Sequence, residues 1–216
     1  MFNTLKEKNK NIKFYTVNDP EFAKYGRVIK NIDVSEIISE CEKIAYPEEG
    51  SKYEAGVESL EKLAIADKIK NEVYGELDTE IGACYGYNTT LNGLEFHKGS
   101  EVNIAVTDFV LILGTTFEMK DNRFNSADAK AFYVKKGEMI EVYASTLHFC
   151  PCQVSDKGFF CVVGLPKGTN LPLDGKYDDK LLFRKNKWLI AHDDNKSLIE
   201  RGVVPGIYGE NYTIKY

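Results

Sequence analysis

The chain has 216 residues, of which 43% are hydrophobic and 28% are charged, and its net charge is −5 at neutral pH. This length suits one well-buried domain with additions, and the composition is typical of a folded protein rather than a disordered one. Because the basic residues are scattered and no stretch approaches the roughly 20 apolar residues of a membrane span, we expect binding neither to nucleic acid nor to a membrane.

The first third of the chain contains extended segments followed by two helical patterns. Residues 11–32 carry short apolar alternations, which predict β-structure. Apolar residues then recur at helical spacing over 34–44, after the acidic residue Asp33 and before Pro47, so a helix is predicted there. A second stripe of apolar residues at helical spacing predicts another helix over 53–74.

The character of the sequence changes after this region. From residue 77 to residue 166, short runs rich in Val, Ile, Phe, Tyr and Thr alternate with Gly- and Asn-containing turns, which is typical of a β-sandwich or barrel. The remainder is irregular apart from a strand-like segment at 186–191. We therefore predict a mainly β fold with a β and helical decoration in 1–76, an antiparallel barrel in 77–166, and an extension in 167–216 that packs on the barrel.

The five cysteines include no pair at the CxxC spacing of zinc or redox sites. Free, mostly buried thiols are therefore expected. Cys150 and Cys152 follow a histidine closely, which leaves a functional thiol as an alternative. The N-terminus has no apolar segment leading to a cleavage site, so we expect a cytoplasmic protein.

The residues most suggestive of chemistry lie within the predicted barrel. Glu95, His97 and Glu101 have the same parity, so in an extended strand their side chains leave from one face. Gly99 occupies the place between them and adds no side chain, which would leave room for an ion or a ligand. A second histidine, His148, follows in a later predicted strand. The sequence thus predicts that the four polar residues converge.

Two imidazoles and two carboxylates suit a borderline divalent ion, which could be Mn²⁺, Fe²⁺, Ni²⁺ or Zn²⁺. The chemistry of the donors does not choose among the four. A third histidine, His192, lies outside this group, and we expect it to serve at the surface or as a cap rather than as a ligand.

The same residues resemble the two motifs of the cupin superfamily, G(X)5HXH(X)3-4E(X)6G and G(X)5PXG(X)2H(X)3N. His97 and Glu101 match the second histidine and the glutamate of the first motif, and Gly137 and His148 match positions of the second. The resemblance covers roughly residues 78–166 and implies an antiparallel jelly-roll barrel that holds a metal ion. It also implies the homodimers that are common among cupins.

The sequence departs from these motifs at several positions. Glu95 stands where the family usually has its first histidine, the closing glycine of the first motif is displaced to Gly114, and Ala144-Ser145-Thr146 replaces the PXG turn. The role of Glu95 therefore stays open between a metal ligand and a free catalytic base. The whole chain also resembles a family of uncharacterised bacterial cupin-like proteins, judged from the segments LHFCPC, KNKWLIAH and GIYGEN.

The resemblance also guides the functional expectation. The segment Glu95-Phe96-His97-Lys98 is similar to the first motif of metal-dependent sugar isomerases and of cupin-fold ureidoglycolate lyases. It implies a metal-dependent isomerase, epimerase or lyase that acts on a sugar, a sugar phosphate or a related small hydroxy acid. Glu95 or Glu101 would be the catalytic base. Lys98, Lys120 and Arg123 are candidates for binding an anionic substrate, although parity places Lys98 on the opposite face of its strand.

Two other functions are compatible with the same motifs. The fold also occurs in proteins that bind a carbohydrate or another small ligand without catalysis. A metal-dependent dioxygenase is the third alternative, and it would require Fe²⁺ with open coordination positions.

Overall fold

The chain forms sixteen strands and five short α-helices in a computed structural model that describes all 216 residues. The strands are β1 (Lys13–Thr16), β2 (Gly26–Ile29), β3 (Ser51–Glu54), β4 (Thr79–Gly86), β5 (Gly93–Phe96), β6 (Glu101–Ala105), β7 (Phe109–Thr115), β8 (Phe124–Asn125), β9 (Lys130–Val134), β10 (Met139–Val142), β11 (Thr146–Leu147), β12 (Cys152–Gln153), β13 (Phe159–Pro166), β14 (Leu182–Arg184), β15 (Lys187–His192) and β16 (Val204–Tyr208). The helices are α1 (Phe2–Lys8), α2 (Ser35–Cys41), α3 (Glu58–Glu61), α4 (Ala64–Lys68) and α5 (Lys196–Glu200).

Three sheets organise the strands. The first is a six-stranded sheet in the order β2-β10-β6-β13-β4-β3, in which every neighbouring pair is antiparallel. The second has the order β1-β9-β7-β11, with β12 also paired to β7. The third has the order β14-β15-β16-β8, with β5 added on β15. Strands from residues 1–76 thus enter both of the first two sheets, while the division of the chain into decoration, core and extension stays a prediction.

The first and second sheets face each other across one hydrophobic core. Phe109, Leu111 and Leu113 point inward from β7, and Phe159 and Cys161 point inward from β13. The intervening residues of both strands face outward, as the two-residue period of a strand requires. Burial of each large apolar side chain contributes roughly 1.5–3 kcal/mol to stability. The prediction of a mainly β fold built on an antiparallel barrel is confirmed.

The outer face of the six-stranded sheet is covered by the helices. Ile37 of α2, Leu60 of α3 and Ile65 of α4 are buried against it. The helix predicted over 34–44 is confirmed, although its α-helical part ends at Cys41. The single helix predicted over 53–74 is wrong. The structure has the edge strand β3, two separate helical turns and a short π-helix at Ile69–Val73, because pairing of β3 with β4 takes precedence over the helical periodicity of the sequence.

The third sheet packs on the outer face of the second sheet, together with both ends of the chain. Leu5 and Phe14 from the N-terminus and Tyr212 and Ile214 from the C-terminus share one buried cluster with residues of β7, β9 and β15. Helix α1 was not predicted, whereas the strand predicted at 186–191 is found as β15. None of the helices has both the length and the apolar character needed to cross a lipid bilayer.

Candidate metal centre

Glu95 and His148 are held side by side by the backbone. Glu95 lies in β5, and His148 directly follows β11. The two residues form an isolated antiparallel bridge, in which the N–H of Glu95 donates to the carbonyl of His148 at 2.7 Å and the N–H of His148 donates back at 3.0 Å. Residues paired in this way direct their side chains to the same face, so the carboxylate and the imidazole are neighbours.

Glu101 reaches the same place from a different sheet. It begins β6 in the six-stranded sheet, whereas β5 belongs to the third sheet, and residues 97–100 connect the two strands. The expectation that Glu95, His97 and Glu101 share one continuous strand is therefore wrong, although the three side chains do meet. The space beside Gly99 is also filled, because a Cβ atom there would lie 2.8 Å from Cγ of Pro166. Gly99 thus accommodates a proline ring rather than an ion.

Both imidazoles are oriented by hydrogen bonds to backbone carbonyls. His97 Nδ1 lies 2.7 Å from the carbonyl oxygen of Asn186, and His148 Nδ1 lies 2.9 Å from that of Thr146. A carbonyl only accepts, so Nδ1 of each ring is the protonated donor and Nε2 faces the site. Nε2 of His97 is buried and has no hydrogen-bond partner. Such an orphaned buried nitrogen is expected where a metal ion would complete its environment.

The carboxylate of Glu101 lies between the two rings. Its Oε2 is 3.5 Å from Nε2 of His97 and 3.3 Å from Nε2 of His148, and Asn103 donates to its Oε1 at 2.8 Å. Burial would raise the pKa of Glu101, but the adjacent imidazoles hold it well below its ordinary value. Burial would likewise lower the pKa of His148, but Glu101 raises it to about 9. A metal ion would have to replace the proton shared by this pair.

The spacing of three of these side chains, with Glu101 beside both imidazoles, fits a divalent ion. Donor atoms of Glu95, His97 and His148 all lie within 4.8 Å of one another. Ions of this class hold nitrogen and oxygen donors about 2.0–2.2 Å away, which places adjacent donors roughly 3 Å apart. Two imidazoles with one or two carboxylates are also the donor set expected for a borderline ion. Glu95, His97, Glu101 and His148 together are the candidate metal centre of the protein.

A lysine missed by the sequence interpretation contacts this centre. Lys187 begins β15, next to β5, and its Nζ forms an ion pair with the carboxylate of Glu95. Both side chains are largely buried, with 16% and 12% of their surfaces exposed. The alternation of the KNKWLIAH segment predicts a strand but does not reveal that this strand pairs with β5. Asn186, which accepts the hydrogen bond of His97, was missed for the same reason.

A cavity of about 560 Å³ lies beside the centre. Glu95, Glu101 and His148 are part of its wall. Charged residues on the wall also include Lys52, Arg184, Lys187 and Arg201. Its volume is in the range of small-molecule sites. The sequence contained no signal for Arg184 and Arg201, because they lie in the irregular C-terminal region.

The three residues proposed to bind an anionic substrate lie away from this cavity. Lys98 places its ammonium group over the ring of Trp188, 5.2 Å from the ring centroid. Arg123 pairs with Asp193 at 2.5 Å, and the backbone of Lys120 forms an isolated bridge with Arg123. None of the three is part of the cavity wall. Substrate binding by these three residues stays a prediction, and their contacts lie outside the candidate metal centre.

The remaining histidine and the cysteines serve largely structural roles. His192 is only 1% exposed, so a surface position is wrong, but its Nδ1 accepts a hydrogen bond from the N–H of Asp194, as expected of a cap. All five cysteines are free, and three of them are buried, as predicted. The sulfur atoms of Cys84 and Cys150 lie 4.0 Å apart in the cavity wall. A functional thiol stays a prediction.

Several solved structures are similar to part of this chain. An oxalate decarboxylase structure is similar, with 11% identity and a TM-score of 0.36 over 58% of this chain and 28% of that one. A structure of Bacillus subtilis oxalate decarboxylase from work on its Mn(II) centres is also similar, with 8% identity and a TM-score of 0.33 over 56% of this chain and 28% of that one. Recombinant pro-11S globulin of pumpkin is similar with 11% identity and a TM-score of 0.35 over 56% and 26%.

The chain thus spans about a quarter of the length of these structures. No curated protein sequence matches it. The family model described as a domain of unknown function, DUF4867, matches residues 14–212, which is nearly the whole chain.

Proposed function

The chain belongs to the DUF4867 family, and we propose that this member is a metal-dependent enzyme acting on a sugar, a sugar phosphate or a related small hydroxy acid. The proposed reaction is an isomerisation, an epimerisation or a lyase reaction. One observation carries the proposal: two imidazole Nε2 atoms and two carboxylates converge beside a cavity of about 560 Å³. That volume would hold a small polyhydroxy compound.

The two glutamates have different surroundings, which supports different roles. The Glu101 carboxylate contacts both imidazoles, so His97, His148 and Glu101 are the residues that would hold the ion. When bound, a divalent ion would supply a Lewis acid that polarises a substrate carbonyl. Glu95 contacts Lys187 instead and faces the cavity, so in this proposal it is the group that removes a proton from a substrate carbon.

Lys187 completes the proposed proton-transfer machinery. Its ammonium group lies against the Glu95 carboxylate on the cavity wall, where water is partly excluded. After Glu95 has accepted a proton, Lys187 is left beside a neutral acid and can donate a hydrogen bond to the substrate oxygen on which negative charge develops. In an isomerisation Glu95 would return the proton to the neighbouring carbon, while the hydroxyl proton on the first carbon passes to the former carbonyl oxygen. In an epimerisation Glu95 would return the proton to the same carbon from the other face after substrate rotation.

The first experiment tests the metal centre. We expect His97→Ala and His148→Ala each to lose bound metal, measured by elemental analysis after loading with Mn²⁺, Fe²⁺, Ni²⁺ or Zn²⁺ in turn. His192→Gln is the matched control, because it alters the third histidine of the chain outside the centre. Circular dichroism and thermal unfolding establish that each variant is folded. Stoichiometric metal in either alanine variant would exclude the proposed centre.

The second experiment tests catalysis. The metal-loaded protein is incubated with aldose–ketose pairs, their phosphates and small hydroxy acids, and proton exchange with solvent deuterium is followed by NMR. We expect Glu95→Gln to abolish turnover while retaining metal. Tight binding of one compound without any turnover would favour a non-catalytic ligand-binding protein. Oxygen consumption that requires Fe²⁺ would favour a dioxygenase.

A further inference from the structure

The cavity beside the candidate metal centre is rich in positive charge, although the chain as a whole has a net charge of −5. Four cationic side chains line it, against two carboxylates. The two carboxylates are already compensated, since Glu95 contacts Lys187 and Glu101 contacts the two imidazoles. Lys52 is likewise paired, with Glu54 at 3.0 Å. The uncompensated charge of the cavity therefore belongs to its two arginines, Arg184 and Arg201.

Of the four arginines of the chain, the two outside the cavity form ion pairs and the two on the cavity wall do not. Arg27 pairs with Glu141 at 2.6 Å, and Arg123 pairs with Asp193 at 2.5 Å, both away from the cavity. Arg184 and Arg201 form no ion pair and donate no side-chain hydrogen bond; Arg184 only lies over the Phe183 ring, 4.9 Å from its centroid. Both arginines on the cavity wall are thus free to bind a ligand.

We infer that Arg184 and Arg201 bind the phosphate group of a phosphorylated polyhydroxy substrate whose other end reaches the candidate metal centre. This inference rests on the proposed function and selects one substrate class within it. Two guanidinium groups match a dianion, and their paired N–H donors fit phosphate oxygens. A phosphate monoester carries a charge of about −1.5 to −2 at neutral pH, whereas a carboxylate would leave one arginine uncompensated.

A second feature of the wall suits the hydroxyl groups of such a substrate. The side-chain amide of Asn170 donates to the hydroxyl of Tyr53 at 3.0 Å, while its Oδ1 is buried and accepts no hydrogen bond. Asn170 lines the same cavity as the two arginines. A buried acceptor without a donor is costly unless a ligand supplies one, and a substrate hydroxyl would do so.

Inorganic phosphate is the probe for this inference. Its affinity is measured by isothermal titration calorimetry at low ionic strength, on the metal-loaded wild type and on the metal-free His148→Ala variant. We expect saturable binding to both. Arg184→Gln and Arg201→Gln should each weaken binding by tenfold or more, as expected when a charged hydrogen-bonding group is lost. Arg27→Gln, which removes the same charge outside the cavity, should leave the affinity unchanged.

Three results would overturn the inference. The first is the absence of phosphate binding to the wild type. The second is a loss of phosphate affinity in Arg27→Gln equal to that in Arg184→Gln and Arg201→Gln. The third is binding of acetate through the same arginines as tight as that of phosphate, which would indicate a carboxylate site. Failure of the metal centre itself is seen separately. If His97→Ala and His148→Ala keep their metal while phosphate binding depends on Arg184 and Arg201, the anion site stands without the proposed metal centre. If the metal centre is confirmed but phosphate does not bind, only the phosphorylated substrate is excluded.

Discussion

Glu95 and His148 exchange two backbone hydrogen bonds, at 2.7 Å and 3.0 Å, in an isolated bridge that is not part of a longer ladder. This single pair joins β5, which belongs to the third sheet, to the segment that follows β11 at the end of the barrel. Because the two side chains leave from the same face, the bridge fixes the distance between one carboxylate and one imidazole. With Glu101 entering from β6 of the six-stranded sheet, the candidate metal centre thus lies where three sheets meet.

Glu101→Gln tests the carboxylate that contacts both imidazoles. The substitution keeps the size of the side chain but removes the anionic donor, so we expect metal affinity to fall at least tenfold, measured by competition with a chelating dye. Glu80→Gln is the matched control, because Glu80 is also a buried glutamate of the barrel but accepts a hydrogen bond from Gly168 instead. Unchanged metal affinity in Glu101→Gln would remove Glu101 from the centre.

Asn186 is predicted to position His97. Its carbonyl accepts from His97 Nδ1, its Oδ1 accepts from the N–H of Lys98 at 2.8 Å, and its Nδ2 donates to Thr169 at 2.9 Å. Its φ of 54° lies in the left-handed region. Asn186→Ala should lower the free energy of unfolding by about 2–4 kcal/mol, since strain is added and two hydrogen bonds are lost. Metal affinity should fall roughly tenfold or more.

Two further variants separate backbone strain from positioning. Asn186→Gly relieves the strain and should recover about 1 kcal/mol of stability in urea unfolding. Asn122→Ala adds comparable strain at a φ of 61°, in a residue that makes no hydrogen bond to a histidine, and should leave metal affinity unchanged. If Asn186→Ala binds metal as tightly as the wild type does, Asn186 has no positioning role.

The barrel and the identity of the clustered residues could be predicted because both depend on local signals. Alternating apolar residues specify strands such as β7 and β13, and polar residues within such strands are conspicuous. The order of His97, Glu101 and His148 then suggested one site. The shared parity of Glu95, His97 and Glu101 predicted this site for an incorrect reason, since His97 lies in a connection between two sheets.

The contribution of the C-terminal region could not be predicted in the same way. Lys187 and Arg184 reach the cavity only because β15 pairs with β5, and pairing between distant strands leaves no mark on a single sequence. The π-helix and edge strand within 51–73 were missed for a related reason. Their apolar residues are spaced as in one helix, but tertiary contacts with the sheet determine the conformation.

Glu118 should make stability depend on pH. Its Oε2 accepts from the N–H and the hydroxyl of Thr115, at 2.9 Å and 3.0 Å, and its Oε1 pairs with Lys24. Burial would raise the pKa of Glu118, but the hydrogen bonds from Lys24 and Thr115 lower it overall. A carboxyl with a lowered pKa in the folded state stabilises the protein above its unfolded pKa of about 4.5, and this stabilisation is lost as the pH falls.

Glu118→Gln should therefore lower the free energy of unfolding by about 1 kcal/mol at pH 7, because the neutral amide oxygen of Gln accepts the hydrogen bonds from Thr115 more weakly than a carboxylate does. The half-exposed ammonium of Lys24 adds little to this value. The difference from the wild type should shrink as the pH falls below about 4.5. Glu7→Gln, an exposed glutamate without a partner, is the control for unfolding curves recorded in urea from pH 3 to pH 7. A difference that is constant over this range would contradict the prediction.

Gly114 should tolerate no side chain, because β7 and β8 approach each other closely there. A Cβ atom at Gly114 would lie 2.4 Å from the ring of Phe124, which is fully buried and cannot move away. Gly114→Ala should therefore lower the free energy of unfolding by about 1–3 kcal/mol in urea unfolding. Gly175→Ala, where the nearest atom is 3.7 Å away, should change it by less than about 0.5 kcal/mol.

The Gly114→Ala substitution should also weaken metal binding at the candidate metal centre. Gly114 pairs with Leu147 in the ladder between β7 and β11, and His148 is the next residue. A shift of β7 away from Phe124 would displace this ladder and with it the imidazole of His148. We expect metal affinity to fall together with stability in Gly114→Ala, and the added substitution Phe124→Leu to recover part of the affinity by making room. If stability falls while metal affinity is unchanged, the position of His148 does not depend on this ladder and is set by its bridge to Glu95 alone.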